Sequence, residues 1–178
     1  NLLEQFNDAQ AVSNHRKVVL IGPIAYLYLS VTDNEDKLVL LPALLVRYQQ
    51  VLNALSNAGV QWLQIDEPAL GLELDDAWQQ AFAQAYKTLE KGSLKLLLTT
   101  YFASVDHHIT LIKTLPFDGI HIDTLAENTN VNTIIKSLPN DWVISLGVIN
   151  GRNIWKTDLV SVYQKVLPIY RSLGDRLW

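Results

Sequence analysis

The stretch VQWLQIDEPALGLEL, residues 60–74, joins a short apolar run to two adjacent carboxylates, Asp66 and Glu67, and then to Pro68. A short apolar run that ends at a proline predicts a strand covered on both faces, as in a parallel sheet. Neighbouring residues of a strand point to opposite faces, so at most one of the two carboxylates faces a barrel mouth. The pair therefore cannot face each other across one bond, as glycosidase carboxylates do.

Outward from this stretch, apolar runs alternate with helical patterns along the whole chain. Strands are predicted at residues 17–23, 60–66, 94–102, 117–123 and 141–149, and DRLW at 175–178 begins a sixth. Helices are predicted between them, because apolar residues recur there at helical spacing. Alternating strands and helices indicate an α/β protein with a parallel sheet.

Two α/β folds fit this alternation. One is a (β/α)₈ TIM-barrel-like fold, which is incomplete here because five full strands and a sixth stub fall short of eight. The other is a doubly wound open sheet, although the glycine-rich first turn typical of that fold is absent from the sequence. Periodicity alone leaves both folds open.

Helix boundaries follow from proline, glycine and capping residues. Pro42 suits the first turn of a helix that Gly59 ends, and Thr157 or Asp158 opens the last helix. Pro168 lies within that last pattern, so we expect a kink or a division into two helices. The polar start of the chain also reads as a helix.

The composition excludes several classes of function. The chain has 178 residues, which suits one domain, and its net charge of −4 gives no basic surface for nucleic acid. There is no Cys for a disulfide or a thiolate metal site. The longest uninterrupted apolar run is well short of the ~18 residues that span a bilayer. We expect a cytoplasmic protein, and the absence of Met suggests a processed chain or a fragment.

Polar residues collect where the predicted strands end, which is where parallel α/β folds place their sites. The candidates for a ligand or inherited site are Asp66, Glu67, Asp123, Arg152 and Asn153. No metal site is predicted, because His121 and Asp123 share a face but lack the further ligands that a metal requires. His107 and His108 are expected to be solvated.

Arg152 has two readings. Its guanidinium could hold a carboxylate or phosphate of a ligand. We favour an internal ion pair with Asp66 or Asp123, which would tie one strand end to another.

Five motifs occur along the chain in an order that is typical of one protein family. They are VLIGPIAYLYL, AGVQWLQIDEPAL, GIHIDT, ISLGVINGRNIWKTDL and LGDRLW, and they extend over nearly the whole chain. Together they resemble the N-terminal half of the cobalamin-independent methionine synthase family. IDEPAL alone is a weak signal, whereas its combination with GRNIWKTDL is specific.

The resemblance implies two face-to-face (β/α)₈ barrels that transfer a methyl group from 5-methyltetrahydrofolate polyglutamate to homocysteine. It implies a zinc ion in the C-terminal barrel, held by His, two Cys and Glu. It also implies that residues 1–178 form a single fragment of the N-terminal barrel, without its first strands and without the catalytic barrel as partner.

The same resemblance argues against catalysis by this chain. The family's metal strand carries His-x-Cys where this chain reads TTYFA (99–103), and the metal Glu corresponds roughly to Asp123. Asp66 matches an aspartate that holds the amino group of homocysteine, but in the other barrel. No catalytic residue is therefore expected here, and Asp66 and Glu67 are expected to serve structure or an interface.

Two other functions remain open from sequence. One is a non-catalytic folate-binding or scaffolding module, and the other is a small stand-alone enzyme using Asp66, Asp123 and Arg152. Because an incomplete barrel exposes strand edges, we also expect the isolated chain to self-associate.

Overall fold

Five parallel strands form one sheet in the computed structural model, which describes residues 2–13, 17–33 and 36–178. The strands are β1 (Val18–Ile21), β2 (Trp62–Asp66), β3 (Lys95–Thr99), β4 (Gly119–Asp123) and β5 (Val143–Gly147). They lie side by side in chain order, β1-β2-β3-β4-β5. A doubly wound sheet reverses its strand order, so this order decides for an incomplete (β/α)₈ barrel.

Helices precede, connect and follow the strands. They are α1 (Leu2–Val12), α2 (Pro23–Leu29), α3 (Leu41–Asn57), α4 (Asp76–Thr88), α5 (Ile109–Ile112), α6 (Val131–Ser137) and α7 (Leu159–Leu173). Short 3-10 helices lie at Lys37–Leu40, Pro68–Gly71, Asp106–His108 and Gly174–Arg176. Parts of the predicted first helix (Asn1 and residues 14–16) and of the predicted loop at 32–37 (residues 34–35) lie outside the described residues.

The caps explain most helix boundaries. The Asp75 side chain accepts the Trp78 N–H at the start of α4, and Asp158 accepts two backbone N–H groups at the start of α7. Gly59 and Gly174 take positive φ angles just beyond α3 and α7, as expected of glycine after a helix.

Two details differ from the sequence predictions. Helix α2 was not predicted, although Pro23 occupies its first turn, because its seven residues are too few to show a helical period. The division of the last helix at Pro168 is wrong, since α7 is continuous. Pro168 and Gln164 are both exposed, so water can solvate the carbonyl that loses its N–H partner.

The sixth strand is a stub, as predicted. Leu177 forms an isolated parallel bridge with Ile144 of β5. The Trp178 N–H donates to Ile144 O at 2.8 Å, and Leu146 N–H donates to Trp178 O at 3.0 Å. At the other side of the sheet, β1 pairs only with β2 among the described residues, so β1 is an edge strand.

The two faces of the sheet differ in composition. The helix-facing face carries the buried core residues Leu63, Ile65, Leu98, Ile120 and Ile144. The strand register places a second set on the opposite, inner face: Gln64, Asp66, Leu97, Thr99, His121, Asp123 and Ser145. In a closed barrel this inner face would line the interior.

The stretch Lys37–Asn57, which includes α3, is long and apolar enough to cross a membrane by length and composition alone. Within it, Leu41, Leu45, Leu52 and Leu55 are buried in the protein core.

Candidate functional site

Glu67 is fully buried and points away from the inner face of the sheet. Its carboxylate accepts the N–H groups of Ile24 at 3.2 Å and Ala25 at 2.7 Å, both in the first turn of α2. It also accepts the Tyr86 hydroxyl of α4 at 2.5 Å. Glu67 therefore caps α2 from another part of the chain and links it to α4.

Burial raises the pKa of the Glu67 carboxyl from its ordinary value of 4.5 to about 7, and the Asp66 charge adds to this. The hydrogen bonds from Tyr86, Ala25 and Ile24 act in the opposite direction. Burial also raises the pKa of Tyr86, and the negative charge of Glu67 raises it further. Glu67 therefore has a structural role, because its buried carboxylate joins α2 to α4.

Gly22 makes room for the Glu67 carboxylate. A Cβ atom at Gly22 would lie 2.0 Å from Glu67 Oε1, far inside van der Waals contact. The Gly22 N–H also donates to Asp66 O at 2.7 Å. A glycine is required here because the carboxylate passes directly over the backbone.

Asp66 lies on the inner face and is partly exposed. Gln64, two residues earlier on the same face, donates its side-chain amide to Asp66 Oδ1 at 2.7 Å. The structure thus separates the two carboxylates, as the alternation of strand side chains predicts. Only Asp66 faces the interior.

His121 lies on the inner face, one strand beyond Thr99. Its Nδ1 is 2.8 Å from Ser145 Oγ. Burial lowers the pKa of His121, and the Lys17 charge lowers it further, while Asp123 and Asp66 oppose the shift. In the part of the chain that the structure describes, Thr99 Oγ1 and Thr129 Oγ1 are the buried side-chain oxygens without a hydrogen-bond partner.

Asp123 and Arg152 do not pair with each other. Asp123 accepts two backbone N–H groups, from Phe102 at 3.1 Å and from Leu125 at 3.0 Å. The Arg152 guanidinium lies over the Phe102 ring, 4.8 Å from its centroid. The predicted ion pair of Arg152 with Asp66 or Asp123 is therefore wrong, because the exposed Arg152 stacks on an aromatic ring instead.

The remaining candidates have local roles. Asn153 is exposed, and its Oδ1 accepts the Trp155 N–H at 3.1 Å. The expectation that both histidines of the pair are solvated is wrong for His108, which is 5% exposed. Its Nε2 lies 3.0 Å from Leu72 O, and His107 Nε2 lies 3.1 Å from the same oxygen. Tertiary packing of the Leu72 loop over this turn buries the ring.

Within residues 2–13, 17–33 and 36–178, no group of three or more His, Asp or Glu side chains could hold a metal ion. Phe102, Gly22 and Tyr86 were not among the residues predicted for this region. A positive φ at Phe102 has no sequence signal, because that conformation usually belongs to glycine.

Comparison with known proteins agrees with this architecture. The family model described as the cobalamin-independent synthase N-terminal domain matches residues 1–174. The chain belongs to this family. The matched residues include all five strands of the sheet, so the sheet and the site candidates at its carboxyl edge belong to this N-terminal domain.

Curated relatives of this family are close in sequence. A 5-methyltetrahydropteroyltriglutamate–homocysteine methyltransferase of Vibrio cholerae is 49% identical over 99% of this chain and 23% of its own length. The protein of the same name from Proteus mirabilis is 49% identical over 94% of this chain and 22% of its own length. The chain thus spans about a quarter of the length of these relatives.

A solved structure named for a vitamin-B12-independent methionine synthase of Listeria monocytogenes has a similar fold. It superposes with a TM-score of 0.64 over 94% of this chain and 57% of its own, at 17% identity. At that identity the likeness supports the parallel α/β architecture of the cobalamin-independent synthase domain and nothing finer.

Proposed function

We propose that this chain is part of the N-terminal barrel of a cobalamin-independent methionine synthase. That enzyme transfers a methyl group from 5-methyltetrahydropteroyltriglutamate to homocysteine in the cytoplasm. The observation that carries the proposal is the 49% identity to the Vibrio cholerae methyltransferase over 99% of this chain. The parallel half-barrel in chain order supports it.

The proposed division of labour leaves the chemistry to a second barrel. The described residues offer no group that could hold a metal ion, so zinc would be bound elsewhere in the parent polypeptide. Zinc lowers the pKa of a bound thiol and makes the thiolate the nucleophile. In this scheme residues 1–178 are a single piece of the N-terminal barrel, and the C-terminal barrel is its partner.

The site candidates fit a structural and interface role in this proposal. Glu67 holds α2 against α4, and the two oxygens of Asp123 both accept backbone N–H groups. Asp66 keeps a partly exposed carboxylate on the inner face. We therefore assign no catalytic step to these residues and treat them as the inherited ends of barrel strands.

A chimeric enzyme tests the proposed function. The matching stretch of the Vibrio cholerae relative is replaced by residues 1–178, and methionine formation from 5-methyltetrahydropteroyltriglutamate and homocysteine is measured. We expect a rate comparable to that of the Vibrio cholerae enzyme, and no turnover by the isolated chain. The proposal is wrong if the chimera folds and binds zinc but forms no methionine.

A further inference from the structure

The loop that follows β5 exposes an Asn-Gly pair. Asn150 and Gly151 lie in residues 148–158, which form neither strand nor helix, and residues 149–156 are all exposed. No other asparagine in the sequence is followed by glycine. Glycine has no Cβ to shield its nitrogen and moves freely in φ and ψ, so the side chain before it reaches that nitrogen easily. The loop therefore presents a reactive dipeptide to water.

An Asx turn folds the Asn150 side chain back along the main chain. Its Oδ1 accepts the Arg152 N–H at 2.9 Å, two residues further on. The side-chain amide is thus held towards the main chain that contains the Gly151 nitrogen. The Arg152 N–H also stabilises the negative charge that the Asn150 Oδ1 gains when its carbon is attacked. Both features favour attack on Asn150 Cγ.

The Gly151 nitrogen is free to act as the nucleophile. Among the described residues, no hydrogen-bond acceptor is assigned to its N–H. A Cβ built at Gly151 would have no atom within 4 Å, so no neighbouring element shields the peptide. Hydroxide can therefore remove the amide proton in the folded protein.

We propose that Asn150 is a site of spontaneous deamidation in which the Gly151 nitrogen is the nucleophile. This nitrogen gives its proton to hydroxide and forms a bond to Asn150 Cγ. The Cγ–Nδ2 bond breaks, and Nδ2 leaves as ammonia with a proton taken from water. The intermediate is a cyclic succinimide, and its formation is intramolecular, which supplies the rate advantage of proximity.

Water then opens the succinimide in one of two ways. Cleavage between the Gly151 nitrogen and Cγ leaves an aspartate at position 150. Cleavage between that nitrogen and the main-chain carbonyl carbon leaves an isoaspartate, whose main chain runs through the former side chain and whose α-carboxylate is free. Either product adds one negative charge to a chain whose net charge is −4. The inference concerns the chemistry of this loop and is independent of the proposed function.

A second Asx turn in the same loop is a matched internal control. The Oδ1 of Asn153 accepts the Trp155 N–H at 3.1 Å, again two residues further on, and Asn153 is exposed as well. The residue after Asn153 is Ile154, whose β-branched side chain crowds the nitrogen that would attack. The two asparagines thus share exposure and turn geometry and differ in the residue that follows.

Ageing of the 178-residue chain at mildly alkaline pH, followed by peptide mass spectrometry, tests the proposal. Cleavage after Arg152 separates the two asparagines into different peptides. The peptide with Asn150 should become about 1 Da heavier, because an amide is replaced by a carboxyl group. The peptide with Asn153 should keep its mass. The rate should rise with pH, and an isoaspartate-specific carboxyl methyltransferase, used as a reagent, should label only the aged chain.

Two substitutions exchange the residues that follow the asparagines. Gly151→Ala fits the fold, because its Cβ position is open and the φ of Gly151 is not positive. It should slow deamidation at Asn150 roughly tenfold or more, which corresponds to about 1.4 kcal/mol or more of activation free energy. Ile154→Gly, at a side chain that is 92% exposed, should make Asn153 deamidate at a rate similar to that of Asn150.

Three results would overturn the proposal. One is an equal rate at Asn150 and Asn153 in the unsubstituted chain. Another is an unchanged rate at Asn150 in Gly151→Ala, since the glycine nitrogen would then not determine the reaction. The third is an Asn150 that stays intact in the folded chain while a synthetic peptide of residues 148–156 deamidates, because the folded loop would then protect the pair.

Discussion

At the scale of single residues, Glu67 shows how a carboxylate at a barrel edge becomes structural. It is 0% exposed, yet its carboxylate accepts three hydrogen bonds, from two backbone N–H groups of α2 and from the Tyr86 hydroxyl. A buried carboxyl group with such partners is tolerated because each of its oxygens is satisfied. Its neighbour Asp66 stays on the inner face, so a buried core residue and a site candidate are adjacent in the sequence.

Glu67 should make stability depend on pH. Its pKa is 4.5 when unfolded and about 7 when folded, so its stabilising effect is complete below pH 4.5 and is lost as pH rises through 7. The difference amounts to about 3 kcal/mol. Urea unfolding from pH 4.5 to 8 should show this decline, and Glu67→Gln should flatten it. An unchanged pH profile in Glu67→Gln would contradict the prediction.

Gly22→Ala should destabilise the chain by about 2–4 kcal/mol, through steric overlap and lost hydrogen bonds. The new Cβ would lie 2.0 Å from Glu67 Oε1. Gly151→Ala is the matched control, because no atom lies within 4 Å of its Cβ position. The penalty measured by thermal unfolding should shrink when Glu67 is also replaced by Ala, and an equal penalty in both backgrounds would exclude the collision as its cause.

At the scale of elements, most strands and helices could be predicted because their signals are local. Asp75 and Asp158 cap α4 and α7, and Asp158 is one of the two residues predicted to open the last helix. Helix α2 could not be predicted, because it depends on Glu67, 42 residues away in sequence from Ala25. The region after Ser104 contains a 3-10 helix followed by α5, which has only four residues.

The stub after α7 should contribute measurably to stability. The Trp178 ring packs edge-on against Trp62 of β2 with centroids 4.6 Å apart. Trp178→Ala should therefore cost about 1–2 kcal/mol in the free energy of unfolding. Trp155→Ala, which removes a ring that is 76% exposed, should cost less than about 0.5 kcal/mol. Equal effects of the two substitutions would show that the stub does not pack as described.

At the scale of the whole molecule, the sheet is an arc of a barrel with an open side. Strand β1 pairs only with β2 among the described strands, and β5 has the two-residue stub as its further neighbour. Val19 and Ile21 of β1 are 46% and 41% exposed. Exposed apolar edge strands recruit other chains, so the geometry agrees with an interface on this side.

The isolated chain should self-associate at micromolar concentration, as a dimer or larger. Light scattering measures the mass directly. Val19→Lys places a charge on the edge strand and should shift the population towards monomer. Val46→Lys, a control on the exposed surface of α3, should leave the mass unchanged. A monomer at high concentration for the unsubstituted chain would refute the prediction.

The sequence by itself determined the alternation of parallel strands and helices, the family, and the opposite directions of Asp66 and Glu67. The alternation and the two side-chain directions follow from signals that act within a few residues, namely apolar period, capping side chains and strand alternation, whereas the family follows from the set of motifs along the chain. Only the tertiary structure decided that the strands lie in chain order, that Glu67 is the buried carboxylate, and that Asp123 and Arg152 meet at Phe102. Those contacts join residues 19 to 50 positions apart in sequence. They are decided by how the sheet and the helices pack, which no local pattern records.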